Sequence, residues 1–86
     1  MTGPVPPMRF QRIYWGTNTY YATRRATMTE IEEVLLDTRS AFRRNMRGRA
    51  ATHLARGRTA DGRRITVAFV YHAPTRTAIP INAWSS

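Results

Sequence analysis

His53 and His72 are the two side chains of the sequence whose ordinary pKa lies close to neutral pH. Fourteen arginines, with no lysine, face five carboxylates and give a formal net charge of +9. Arginine is always ionised and offers a planar donor fork that matches phosphate oxygens, so the surplus points first to a polyanion and next to an acidic protein. Together the two residue types meet the demands of metal-free RNA cleavage. That reaction needs a base for the 2′-hydroxyl proton, an acid for the leaving 5′-oxygen, and fixed positive charge on the phosphorane. Tyr71 and the carboxylates are the remaining proton carriers, further from a working pKa.

Other chemistries find little support. The chain has no cysteine, which excludes disulfides, thiolate zinc sites and cysteine nucleophiles. Two histidines 19 residues apart among scattered carboxylates reproduce no metal-ligand spacing. No glycine-rich phosphate loop is present, Gly57 and Gly62 read as single turn or bulge glycines, and no cofactor is expected. The longest apolar run, Ile65 to Tyr71, is broken by Thr66 and falls far short of the roughly 20 residues of a spanning helix, so no membrane partner is expected. Met1 to Pro7 holds three prolines and no positive charge, which fits neither a secretory signal nor a transit peptide and predicts a cytoplasmic protein.

The elements that must position these residues follow from length and patterning. Eighty-six residues allow one domain, expected over 8–86 behind a disordered tail at 1–7. The aromatic and branched stretch Met8 to Trp15 predicts a strand, and Gly16-Thr17-Asn18 a break before a first helix over about 17–25. A second helix starts at Thr27 or Thr29, where Thr29-x-x-Glu32 has the form of a capping box. Met28, Ile31, Val34 and Leu35 recur at helical spacing, and Glu30, Glu33 and Asp37 fall on a side expected to be solvated.

Period-2 patterning then takes over, with a short strand at about 40–46 and longer ones at about 50–59, 63–72 and 76–84. Asp61-Gly62 is a hairpin signal, and Ala73-Pro74-Thr75 a looser turn. The order predicts an α+β domain: an N-terminal strand and two helices packed on one face of an antiparallel sheet of three or four further strands.

In the strand over 63–72, Ile65, Val67, Phe69 and Tyr71 should meet the helices. In the last strand Thr77, Ile79, Ile81 and Ala83 should point inward, and Pro80 marks an edge or a bulge. The open face would then carry Arg64, His72, Arg76, Asn82 and Trp84, a set suited to single-stranded nucleic acid, with arginines on phosphates and aromatics on bases. His72 ends its strand beside a turn that should bring Arg76 opposite it. The facing of His53 stays open, because Leu54 suits the core and Arg56 does not. Either histidine also reads as a half-exposed strand residue without chemistry, and Trp84 and Tyr71 as rim packing. Arg43, Arg44, Arg47 and Arg49 form a dense patch that reads as a phosphate-backbone contact or as a solvated loop.

Several strings, in order, resemble one family. They are Met8-Arg9-Phe10 through Tyr14-Trp15, Thr27 to Leu35, Gly57-Arg58-Thr59 with Asp61-Gly62-Arg63, and Ile65 to Tyr71 leading to Ile81-Asn82-Ala83-Trp84. Over roughly residues 8–84 the chain resembles the BrnT-like toxins of the RelE/ParE superfamily of toxin–antitoxin pairs. The resemblance implies a RelE-like fold and a small basic ribonuclease that slows translation by cutting single-stranded or ribosome-associated RNA. It also implies an acidic antitoxin protein as partner. Arg58 matches a basic position of the family, and Asn82 stands where a small polar residue is expected. The chain departs from the pattern at Arg24-Arg25-Ala26, where members carry His-Gly, and at Trp84, where an arginine is common.

The resulting candidates are His72, Arg58, Arg76 and His53 for catalysis, and Arg43, Arg44, Arg47, Arg49, Arg64, Asn82 and Trp84 for RNA contact. Two other classes stay open: a non-catalytic nucleic-acid-binding domain of the same fold, and an interaction module whose arginines recognise an acidic protein.

Overall fold

The computed structural model describes residues 4–46 and 50–86. Strands β1 (Pro4–Val5) and β2 (Arg12–Ile13) precede helices α1 (Thr19–Ala22) and α2 (Met28–Leu36). Strands β3 (Ala41–Arg44), β4 (His53–Arg58), β5 (Arg64–His72) and β6 (Thr77–Ser85) follow, with a 3-10 turn at Ala73–Thr75. The sheet runs β1-β3-β4-β5-β6-β2. All pairings are antiparallel except β2 with β6, so the α+β expectation holds while the sheet is mixed. Pro4 and Val5, placed in the expected disordered tail, pair with Arg43 and Phe42.

Helix α2 begins one capping pattern earlier than Thr29-x-x-Glu32 suggests. The Thr27 side chain accepts from the Glu30 N–H at 3.1 Å, and Glu30 Oε1 accepts from the Thr27 N–H at 2.9 Å. This start aims Ile31, Val34 and Leu35 at β4 and β5, where they are buried, and leaves Met28 exposed. It also releases Glu32 to accept from Trp15 Nε1 at 2.9 Å, which ties the N-terminal segment to the helix. Helix α1 is shorter than expected because hydroxyls compete for its backbone: Thr19 donates to the Gly16 carbonyl at 2.6 Å and Thr23 to that of Thr19 at 2.7 Å.

Only Arg12 and Ile13 of the expected first strand pair, against Thr77 and Ala78. Met8, Phe10 and Trp15 of that segment pack against the core. Phe10 stands edge-on to Phe42, Phe69 and Tyr71 at 5.9, 5.4 and 5.8 Å between centroids. Ile65, Val67 and Phe69 are fully buried beneath the helices, as their alternation predicts.

Gly57 lies inside β4, opposite Ile65, and not in a turn or bulge. A β-carbon there would collide with Ser40 Oγ and stand 3.3 Å from Val34 Cγ1, so the missing side chain is what lets α2 approach. Ser40 Oγ in turn donates to the Val34 carbonyl at 2.7 Å, satisfying one of the free carbonyls at the helix end.

Strand β6 changes face partway along. Ala68 pairs with Asn82 but Phe69 pairs with Pro80, so Ile81 is the extra residue of a bulge. Beyond it Ala78 and Pro80 point to the helices and are buried, while Thr77 and Ile79 move to the other side, the reverse of the expectation for these four. Among the described residues no helix is long and apolar enough to cross a membrane.

Candidate anion-binding site

Register sorts the arginines. In a ladder, directly paired residues share a face, so Arg58 with Arg64, and Arg56 with Thr66 and Trp84, form two successive rows on the face that α1 and α2 leave uncovered. The next row is Leu54, Ala68 and Asn82. Thr66 and Ala68 are nonetheless 9% and 6% exposed, because their neighbours on this face are long. At the α2 end of the face, Arg56, Arg58 and Arg64 meet Arg39, Ser40 and Gly57 around an open concavity of about 540 Å³.

Among the described residues no carboxylate lines that concavity. Four of the five acids of the chain are hydrogen-bonded elsewhere, and the fifth, Asp37, pairs with Arg39 at its rim. Glu30 pairs with Arg63 at 3.1 Å, Glu32 takes the Trp15 indole, Glu33 accepts from the Ala60 N–H at 2.9 Å, and Asp61 accepts from the Thr59 hydroxyl. The helix acids are therefore half-exposed, on the side expected to be solvated, and also engaged in bonds. Asp37 pairs with Arg39 at 3.1 Å, and hydrogen bonds from Arg39 hold its carboxyl below the usual range. Among the described residues Arg56, Arg58 and Arg64 have no ion pair. Like charges facing across a ladder, as Arg58 and Arg64 do, repel unless an anion joins them. The arrangement is suited to phosphate oxygens.

The sequence-derived catalytic set does not come together. His72 shares the open face with Arg64 but lies eight residues away along β5, about 27 Å at roughly 3.4 Å per residue. Its Cα partner is Thr77 and not Arg76, and its Nδ1 shares a hydrogen bond with the Thr75 hydroxyl at 2.9 Å. Arg76 is exposed in the turn with φ 48°. His53 faces the other way, in line with Ala55 and Gly57. It stacks on Phe69 at 5.7 Å and bonds Thr52 Oγ1 through Nδ1 at 2.9 Å. Burial, and then the charge of Arg44, hold its pKa below the ordinary value.

The arginine patch also divides. Arg43 lies opposite Leu54 on the open face, and Arg44 opposite His53 on the helix side. Arg47 and Arg49 lie outside the described residues. Asn82 is exposed and Trp84 half-buried on the open face, as expected.

Arg39 opens the arginine-rich stretch that runs to Arg49, but Arg56 does not stand out in the sequence. A signal for Arg56 is nonetheless present: the Asp61-Gly62 hairpin sets a register that puts it opposite Thr66, and Ala55 and Gly57 are the small residues a close helix requires. Among the described residues no group of three metal-ligating side chains comes together. Comparison with family models, with curated proteins and with solved structures finds no match for this chain.

Proposed function

We propose that this domain binds single-stranded RNA through its phosphates, at the concavity formed by Arg39, Arg56, Arg58 and Arg64. One observation carries the proposal: four arginines converge where no described carboxylate lines the surface, and three of them, Arg56, Arg58 and Arg64, have no ion pair among the described residues, while Arg39 is shared with Asp37. The ordered resemblance to BrnT-like toxins supports RNA as the polyanion and a RelE-like description of the fold. It supports an acidic antitoxin as a protein that would compete for the same arginines.

Binding without cleavage is the form of this function that the geometry favours. Arginines could stabilise a phosphorane, but a proton carrier must stand within hydrogen-bond reach of the scissile group. His72 is at the far end of β5 and His53 on the other side of the sheet.

The test is fluorescence anisotropy with a labelled single-stranded RNA across a salt series. Arg58→Ala with Arg64→Ala should weaken binding tenfold or more and reduce the salt slope by roughly 0.7 for each phosphate that the variant no longer neutralises. Unchanged affinity in this double variant overturns the site. The same protein incubated with RNA in excess EDTA should leave it intact. Products with 2′,3′-cyclic phosphate ends would restore the ribonuclease reading, with a proton carrier other than the two histidines.

A further inference from the structure

Strand β2 accompanies β6 only as far as Ala78, so beyond the bulge the outer edge of β6 has no partner strand among the described residues. Against this edge stands α1 with the loop that follows it. Tyr21, Arg24, Arg25, Ile81 and Asn82 line a cleft of about 330 Å³, within the roughly 300–1,000 Å³ usual for small-ligand sites.

We infer that this cleft is a subsite for one unpaired nucleobase of the bound strand and its phosphate, an inference that rests on the RNA-binding reading above. Tyr21 is 58% exposed although its neighbour Ala22 is fully buried, so a large aromatic ring is presented to solvent in a four-residue helix. It makes a T-shaped contact with Tyr20 at 5.4 Å, and its exposure leaves ring surface for a ligand. Asn82 supplies direction. Its Oδ1 accepts from the Ala83 N–H at 2.9 Å, which fixes the amide orientation and leaves the Nδ2 donors for a base carbonyl. Arg24 and Arg25 are exposed and have no ion pair among the described residues.

The loop that bears these two arginines is held in place. The Arg63 guanidinium donates to the Arg25 carbonyl, to Ser85 Oγ at 3.2 Å and to Glu30, fastening the loop to the end of β6. The ladder rows of the open face relate the cleft to the arginine cluster. Trp84 follows Asn82 on the same face of β6 and lies across Thr66 from Arg56. A strand crossing the sheet can thus meet phosphate contacts at one end and a base contact at the other. An aromatic face, outward amide donors and two cations fit a nucleotide better than an acidic peptide, which would use the cations alone.

Anisotropy with two pentamers tests this: pentauridylate, and an abasic ribose-phosphate chain of equal length. Tyr21→Ala should weaken pentauridylate about tenfold and leave the abasic chain within twofold, and Tyr21→Phe should retain the affinity. Asn82→Ala should also act on pentauridylate alone, and Arg24→Ala with Arg25→Ala on both ligands. Equal effects of Tyr21→Ala on the two pentamers, or none, would overturn the subsite. The arginine cluster is judged separately: Arg58→Ala with Arg64→Ala must weaken both pentamers, whatever the Tyr21 result.

Discussion

Arg63 and Arg64 are neighbours in the chain and differ in every contact they make. Arg63 is 36% exposed at its side chain and is absorbed by Glu30, the Arg25 carbonyl and Ser85. Arg64 turns to the opposite side, faces Arg58 across the ladder and pairs with no carboxylate among the described residues. The division falls where the hairpin turn, which holds Arg63, gives way to β5, which starts at Arg64. The helix side gathers the acids and uses charge to fasten elements together, while the uncovered side collects charge that no described carboxylate neutralises. A basic surface of this kind comes from where the few acids are placed, as well as from the number of arginines.

The contrast breaks most visibly through the core. Phe69 is fully buried on the helix side, and Phe69→Ala should cost about 3–5 kcal/mol in urea denaturation, much of the roughly 5–15 kcal/mol a domain possesses. Arg64→Ala should change stability by less than about 0.5 kcal/mol. A large loss there would mean that the open face is built for packing. Gly57→Ala should cost about 1–3 kcal/mol, because its methyl group meets Ser40 and Val34. Combining it with Ser40→Ala should recover part of that loss, less the bond to the Val34 carbonyl. Arg63→Ala should cost about 1–2 kcal/mol through the bonds it breaks, and a value equal to that of Arg64→Ala would erase the distinction between the two arginines.

Much of this is legible where a pattern is local. The alternation of Ile65, Val67 and Phe69 assigns the buried face of β5, and Asp61-Gly62 fixes the hairpin, with Gly62 at φ 87°. The failures occur where a distant partner decides. Thr27 and Thr29 are each followed three residues later by glutamate, and the choice is made by Trp15, which claims Glu32. The face of Ile79 and Pro80 depends on one extra residue in β6, which alternation does not show. For the site, Arg58 and Arg64 are readable from register, and the strand expected over 63–72 already sets His72 eight residues from Arg64; sharing a face along one strand does not make two residues neighbours. Arg56 is concealed because Leu54, two residues before it on the same face, looks like a core residue, whereas Leu54 lies half-buried on the open face.

The two histidines sharpen the comparison with the smallest expected effect. His53 lies against Phe69 and Tyr71 on the helix side, and burial, followed by the charge of Arg44, lowers its pKa from the ordinary 6.5. The unfolded imidazole therefore takes up its proton at a higher pH than the folded one. Between the two values the unfolded state binds more protons, so this contribution to stability is complete above about pH 6.5 and is lost as pH falls through the lower folded value. Asp37 and Asp61 do not interfere in that window, since both carboxyls are held below their ordinary 3.8 by hydrogen bonds. Denaturation at about pH 7.5 and pH 5 should show the chain less stable at the lower value. His53→Phe should flatten that difference, and Arg44→Ala should reduce it. An undiminished slope in His53→Phe would show that the helix side tolerates a buried proton, and that the sheet divides its arginines but not its histidines.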